Sequence, residues 1–146
     1  KNNMLKKRII IIAAHYYKEI TDMLVDGAKN YCHENDIDYL IYSVPGALEI
    51  PTAIKILNNR IKGETSIISG FVAIGCVIRG ETSHYDIVSN ESARGLTDLS
   101  LEHDIIIGNG ILTVENKNQA LERSTDKINK GYEAAHACRV LIDLNN

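Results

Sequence analysis

The sequence predicts an α/β fold, a three-layer sandwich in which helices cover both faces of a four-stranded parallel sheet. Short β-branched runs alternate along the chain with longer segments whose apolar residues recur every three or four positions, which is typical of strands joined by crossover helices. The first run, Ile9–Ala14, is apolar throughout, as in strands buried on both faces. A chain of 146 residues, 45% of them hydrophobic, predicts one domain over residues 1–146.

The first half of the chain predicts two strands and two helices. The strands are Arg8–Ala13 and Asp38–Val44, and the helix between them is Lys18–Asn35. The second helix, Leu48–Asn59, carries Pro51 in its first turns, where a missing backbone N–H is tolerated best. The apolar faces of the two helices consist of Ile20, Leu24, Ala28 and Tyr31, and of Ile50, Ala53, Ile54 and Leu57.

The second half predicts two more strands and three helices. The third strand lies within Ser66–Gly75, centred on Phe71–Ile74, and the fourth is Ile105–Leu112. The predicted helices are Thr82–Glu102, Asn118–Ser124 and Asn129–Leu144. The side chains expected to face the core from the first of these helices are Ile87, Val88, Leu96 and Leu99.

Composition excludes several classes of function. A net charge of −3 gives no basic surface for nucleic acid, and the longest apolar run is far shorter than the ~20 residues of a membrane span. Cys32, Cys76 and Cys138 are scattered and form no CxxC pair, so we expect neither a disulfide framework nor a zinc knuckle. We expect reduced, partly buried cysteines in a cytoplasmic protein that binds neither nucleic acid nor a membrane.

A ligand of such a sheet is expected beside the turns that follow the strands. Ligands of open parallel sheets bind outside the carboxyl ends of the strands. In this sequence those ends lead into four turns, and the residues with chemical potential gather there. The turns are Ala14–Tyr17, Val44–Glu49, Gly75–His84 and Thr113–Asn118.

The turn Gly75–His84 favours a site for a single phosphate group. Gly75 and Gly80 have the spacing of a nucleotide-binding loop, but Glu81 stands where that loop needs a lysine, which excludes a nucleoside triphosphatase. Thr82 can cap the following helix, and the free N–H groups there can bind an anion. The alternative is a tight turn with a capped helix and no ligand.

A histidine and a segment bounded by two prolines, both at these turns, suggest proton transfer and recognition of a heterocycle. His84 falls in the first turn of the predicted helix, and imidazole can pass protons in both directions near neutral pH; the alternative is an ordinary surface histidine. In Val44–Pro51, two prolines and a glycine hold the backbone so that its N–H and C=O groups can read a flat ring. Glu49 in this segment has the alternative role of a first-turn carboxylate that offsets the helix dipole.

The remaining candidates are an aromatic residue and two basic residues. Tyr16, after the first strand, can stack on a pyrimidine or simply pack over the sheet edge. Arg123 suits a phosphate because its planar fork donates two hydrogen bonds, and Lys130 follows it. Taken singly, both basic residues are better explained as solvated surface charges.

Five segments taken together resemble the lumazine synthase family, over essentially the whole chain. They are Val44–Pro51 (VPGALEIP), Gly75–Asp86 (GCVIRGETSHYD), Gly110–Asn116 (GILTVEN), Gln119–Arg123 (QALER) and Asn129–Ala135 (NKGYEAA). The resemblance implies a flavodoxin-like fold, pentameric rings that in some members assemble into icosahedral shells, and active sites between neighbouring subunits. It implies a transferase that condenses 5-amino-6-(D-ribitylamino)uracil with 3,4-dihydroxy-2-butanone 4-phosphate in riboflavin biosynthesis, with no cofactor or metal.

The resemblance also implies a role for each matching residue. His84 corresponds to the proton-transferring histidine, and Arg123, with Lys130 on the same side, corresponds to the phosphate-binding arginine of the adjacent subunit. The positions that correspond to the other substrate contacts are Tyr16 for stacking, Ala47, Leu48 and Glu49 for the ribityl chain, Val77 and Ile78 for the pyrimidine, and Glu81 and Thr82 for phosphate. Cys76 is a further expected substrate contact.

The sequence departs from the family pattern at several positions. His15 and Tyr17 replace the usual arginine and asparagine, and Leu48 and Asn109 replace frequent phenylalanines. Asn109 is the expected contact from the neighbouring subunit, so the loss of a ring there changes how the pocket closes. Riboflavin synthase is an expected partner. Two alternative functions are an archaeal-type riboflavin synthase and a non-catalytic flavodoxin-like module that binds a phosphate or a flavin.

Overall fold

The fold positions four parallel strands side by side with helices above and below them. The computed structural model of the chain describes residues 5–145. The strands are β1 (Lys6–Ala14), β2 (Asp38–Val44), β3 (Ile67–Ile78) and β4 (Ile107–Val114), and the helices are α1 (Lys18–Glu34), α2 (Ile50–Ile61), α3 (His84–His103), α4 (Lys117–Glu122) and α5 (Lys130–Asn145). This arrangement confirms the predicted α/β, flavodoxin-like sandwich.

The sheet has the strand order β2-β1-β3-β4, which leaves β1 and β3 in the centre. Alternate side chains of β1 enter two separate cores, because successive residues of a strand point to opposite faces. Ile9 and Ile11 lie in the core beneath α1 and α5, and Ile10 and Ile12 lie in the core beneath α2 and α3. All four side chains are at most 1% exposed, as the continuous apolar run predicts.

Glycines allow α5 to pack unusually close to the sheet and to α1. A Cβ atom placed on Gly108 of β4 would lie 2.1 Å from the carbonyl oxygen of Ala134 in α5. A Cβ atom on Gly131 would lie 1.9 Å from the carbonyl oxygen of Leu24 in α1. These approaches fix the start of α5, and therefore the position of Lys130, against the rest of the fold.

The third strand is longer than predicted. It continues through Gly75 to Ile78, because β4 also extends further, to Val114, and the two strands stay paired from Phe71↔Ile107 to Ile78↔Val114. The prediction of a turn from Gly75 to His84 was therefore wrong in its first four residues. The turn occupies only residues 79–83.

Helix α3 also differs from its prediction. It begins at His84 rather than Thr82, and the Thr82 hydroxyl accepts a hydrogen bond from the His84 N–H at 3.3 Å. The expected inward position of Ile87 was wrong, since its side chain is 54% exposed, whereas Val88, Leu96 and Leu99 are buried as predicted. No helix in the described range 5–145 is both long enough and apolar enough to cross a membrane.

One edge of the sheet exposes apolar residues. Strand β2 lies at that edge, and Leu40, Ile41 and Tyr42 are 42%, 41% and 37% exposed. Isolated exposed apolar residues are ordinary, but three consecutive ones leave both faces of this edge strand apolar, which suits contact with another chain.

The close approach at Gly131 predicts a specific sensitivity to substitution. We expect Gly131→Ala to lower the free energy of unfolding by about 1–3 kcal/mol, because α5 must shift away from α1 to accept the methyl group. Urea unfolding at one fixed protein concentration measures this. The matched control is Gly63→Ala, since a Cβ atom there meets nothing within 4 Å. Equal stability of the two variants would contradict the packing argument.

Candidate active site

A cavity of about 480 Å³ lies at the carboxyl edge of the sheet, beside the start of α3. It is bounded by the residues that follow β1, by the turn before α2, by the last residues of β3 and by the first turn of α3. Nine of the thirteen predicted site residues line it: Tyr16, Ala47, Leu48, Glu49, Cys76, Val77, Ile78, Thr82 and His84.

The unequal lengths of the parallel strands create this cavity. The register pairs Ala14, the last residue of β1, with Val44, the last residue of β2. The pairing of β1 with β3 ends at Ala13↔Ile74, whereas β3 continues to Ile78 alongside β4. The end of β3 therefore forms a back wall beyond the ends of β1 and β2.

Two tyrosines form the side of the cavity that follows β1. The ring of Tyr16 is 78% exposed and meets Tyr17 edge to face, with ring centroids 5.0 Å apart and an interplanar angle of 87°. Burial, with smaller contributions from Tyr16 and Cys76, raises the pKa of Tyr17. Tyr17 is thus a neutral, half-buried support for Tyr16. The sequence alone assigns Tyr17 no role, although its position next to Tyr16 indicates that it also lies at the end of β1.

The segment after β2 presents backbone and one carboxylate to the cavity. Residues Ala47–Glu49 form a single 3-10 turn that runs directly into α2, and Pro51 lies in the first turn of that helix. Ala47 is buried, while Leu48 and Glu49 are exposed. The Glu49 side chain makes no capping hydrogen bond to α2, and Glu49 lines the cavity.

The segment from β3 to α3 contains most of the polar chemistry. Cys76 and Val77 are buried in β3, and the turn that follows exposes Gly80, Thr82 and the His84 side chain. Glu81 lies in the same exposed turn but does not line the cavity. Tyr85 also lines the cavity, although it was not among the predicted site residues.

An arginine holds this turn at both ends. The Arg79 Nε donates to Glu115 Oε1 at 2.8 Å, and Nη1 lies 3.4 Å from Asp86 Oδ1. The Arg79 Cζ atom lies 4.3 Å from the centroid of the Tyr85 ring. The hydrogen bond to Glu115 and the nearby carboxylates raise the pKa of Arg79. The sequence alone does not indicate this pairing of Arg79 with Glu115, since the two residues are far apart along the chain.

Two predicted basic residues line a different cavity. Arg123 and Lys130 line a space of about 400 Å³ beside the end of β4. The Lys130 N–H donates to the Arg123 carbonyl oxygen at 2.9 Å, which brings the two residues together. Within one chain, they do not share the cavity of His84.

Asn109 belongs to neither of these cavities. Its side chain is exposed on the edge strand β4, and its Oδ1 atom accepts a hydrogen bond from the Ile111 N–H at 2.9 Å. The amide thus satisfies a backbone group of its own strand. It can contact a ligand only where that ligand lies outside the cavities of this chain.

A larger cavity of about 690 Å³ lies between α1 and the start of α5, but its chemistry does not suit an anionic ligand. Four carboxylates and a single lysine line it: Asp26, Glu34, Asp126, Glu133 and Lys127. Carboxylates repel a phosphate, so the cavity beside His84 is the better candidate. Among residues 5–145, no three His, Cys, Asp or Glu side chains group closely enough to hold a metal ion.

Comparison with known proteins gives a consistent result. The sequence profile of the 6,7-dimethyl-8-ribityllumazine synthase family matches residues 6–146. The protein of that name from Afipia carboxidovorans is 48% identical over 143 residues, covering 97% of this chain and 88% of the relative. The one from Agrobacterium fabrum is 47% identical and covers 97% and 96%, and the one from Methylorubrum populi is 47% identical and covers 92% and 80%.

The burial of the three cysteines predicts that their thiols are unreactive. Cys32, Cys76 and Cys138 are free and buried, as predicted, and burial raises the pKa of Cys32 and of Cys76 to about 11 and that of Cys138 further. A raised pKa lowers the thiolate fraction, to about one part in a thousand at pH 8 for Cys76. We expect slow labelling of the folded protein by a disulfide reagent, and labelling of all three thiols in denaturant. Rapid labelling of Cys76 in the folded state would contradict this.

Proposed function

Because the chain belongs to the 6,7-dimethyl-8-ribityllumazine synthase family, we propose that the cavity beside His84 is the site of that family's reaction. There, 5-amino-6-(D-ribitylamino)uracil and 3,4-dihydroxy-2-butanone 4-phosphate condense, releasing phosphate and water. The observation that carries the proposal is that nine residues from three separate segments, each matched to a substrate contact, line one cavity. The family match favours this reaction over the two alternative functions.

The pyrimidine is proposed to lie between Tyr16 and the end of β3. The exposed face of the Tyr16 ring can stack on the heterocycle, with Tyr17 holding it edge to face. Beyond Ile74 the pairing of β3 with β1 has ended, so alternate N–H and C=O groups of Cys76–Ile78 on that side remain available. Backbone groups of fixed geometry suit the alternating donors and acceptors of a uracil ring.

The phosphate of the second substrate is proposed to lie at the turn before α3. The turn contributes Gly80 and Thr82 to the cavity and leads into a 20-residue helix, whose dipole favours an anion at its start. A Cβ atom on Gly80 would meet nothing within 4 Å, so there is room for a ligand against the backbone. Arg123 of an adjacent protomer would supply the balancing positive charge, with Lys130 beside it.

His84 is proposed to move protons during the condensation. The aromatic amine attacks the ketone and one water leaves, phosphate is then eliminated, and a second condensation closes the ring with loss of another water. Each step transfers a proton to or from nitrogen or oxygen, and an exposed imidazole at the mouth of the cavity can accept and return it. Holding two substrates together can contribute up to about 7–11 kcal/mol, so proximity is the larger effect.

The separation of the two cavities supports an oligomer with sites between protomers. His84 lines one cavity and Arg123 the other, so one complete site needs both faces. The apolar edge strand β2 offers a surface for such contact. We propose a pentameric ring of single-domain chains, residues 1–146, able to form an icosahedral shell and to associate with riboflavin synthase. The three reduced cysteines favour a cytoplasmic location.

The reaction itself is tested by mixing the protein with both substrates and following the fluorescence of the lumazine. We expect His84→Ala to lower kcat by about 10²–10⁴-fold without abolishing turnover, because proximity still operates. His103→Ala, at the far end of the same helix, is the matched control and should keep the full rate. No product from the unsubstituted protein would refute the function, and an unaffected His84→Ala rate would remove that residue from the mechanism.

The shared site is tested by complementation between two impaired variants. When His84→Ala and Arg123→Ala chains are expressed together and assemble at random, about one quarter of the sites should receive an intact His84 from one protomer and an intact Arg123 from its neighbour. Activity should therefore rise well above that of either variant alone. Activity no higher than the mean of the two separate variants would show that both residues act from the same chain.

A further inference from the structure

The turn between β3 and α3 is held from outside by a single side chain. Arg79 is the first residue after β3, and Tyr85 and Asp86 lie in the first turn of α3. The Arg79 guanidinium spans the intervening residues to meet the Tyr85 ring at 4.3 Å and the Asp86 carboxylate at 3.4 Å. The two ends of the turn are therefore joined by contacts other than the backbone.

The same guanidinium is anchored to the neighbouring strand. Its Nε atom lies 2.8 Å from the Glu115 carboxylate, one residue beyond β4. The backbone of Arg79 is fixed to the same place, because its N–H donates to the Val114 carbonyl oxygen at 2.9 Å. The contacts thus connect the His84-bearing turn to the rigid sheet rather than only to itself.

We propose that Arg79 is a positioning residue for the reaction, which holds the Gly80–Ser83 backbone and the His84 imidazole in the geometry that the two substrates need. The inference rests on the proposed function for its catalytic meaning. Arg79 does not line the cavity, so its effect passes through the turn and not through contact with substrate.

The exposure of the cluster indicates why several contacts are needed. The side chains of Arg79, Asp86 and Glu115 are 43%, 56% and 56% exposed, and a single ion pair at such exposure contributes little. One guanidinium that makes two ion pairs and stacks on a ring loses its side-chain freedom only once for all three contacts. Lysine has no planar fork and can meet only one of these partners well.

Arg94, which lies in α3, provides a matched control for Arg79. It also pairs with two carboxylates, Glu91 and Asp98, but both lie within α3 and neither touches the turn. The hydrogen bond with Glu91 raises the pKa of Arg94, much as Glu115 does for Arg79. The two arginines therefore differ mainly in whether their contacts cross the turn.

The test compares Arg79→Gln, Arg79→Lys, Glu115→Ala and Arg94→Gln in the full oligomer. We expect Arg79→Gln to lower kcat by about ten- to a hundredfold and to raise KM for the keto-phosphate, because His84 and the phosphate-binding backbone lose their alignment. KM for the pyrimidine should stay within about twofold, since β3 remains paired with β4. Arg79→Lys and Glu115→Ala should show smaller changes in the same direction, and Arg94→Gln none.

Hydrogen exchange followed by mass spectrometry gives a readout that does not depend on turnover. Peptides covering residues 79–86 should exchange faster in Arg79→Gln and not in Arg94→Gln, with the rest of the chain unchanged. Kinetics and exchange equal to those of Arg94→Gln would overturn the proposal, and so would faster exchange throughout the chain with both KM values raised alike. If the unsubstituted protein made no lumazine, the function would fail, and local exchange would still decide whether Arg79 holds the turn.

Discussion

The site depends on the burial of the two central strands and the register that this burial imposes. Because β1 and β3 are covered on both faces, a shift of either strand by one residue would move its side chains into the wrong core. The register that results ends the pairing of β1 with β3 at Ala13↔Ile74 and lets β3 continue to Ile78 against β4. The step between these two strand ends is the cavity, so its shape follows from core packing.

Much of the architecture was predictable because it follows from local patterns. The bounds of β2 were predicted to the residue, and those of α1 to within one residue. In both elements the periodicity of apolar residues agrees with the helix- and strand-ending residues that flank it. The end of β3 was not predictable, because Gly75 has the appearance of a turn residue and only pairing with Ile111 of β4 keeps it in a strand. Ile87 was wrongly expected to face the core. Helical periodicity shows which residues share a face of the helix, but not how much of that face the sheet covers.

The candidate site shows the same division between local and long-range information. Segments with distinctive turn residues, such as Val44–Pro51, were identifiable from the sequence and contribute residues to the cavity. Arg79 and Glu115 are 36 positions apart and meet only because β3 and β4 are neighbours in the sheet. Tyr17 was underestimated for a different reason: beside Tyr16 its importance depends on the angle between the rings, which no pattern encodes.

The exposed apolar edge of β2 makes a newly synthesised chain prone to aggregation. An edge strand presents unpaired N–H and C=O groups, and here it also presents Leu40, Ile41 and Tyr42 to water. A chain with this edge uncovered therefore carries a template for nonspecific strand pairing, which promotes aggregation. Aggregation then competes with productive folding more strongly as the local concentration of such chains rises.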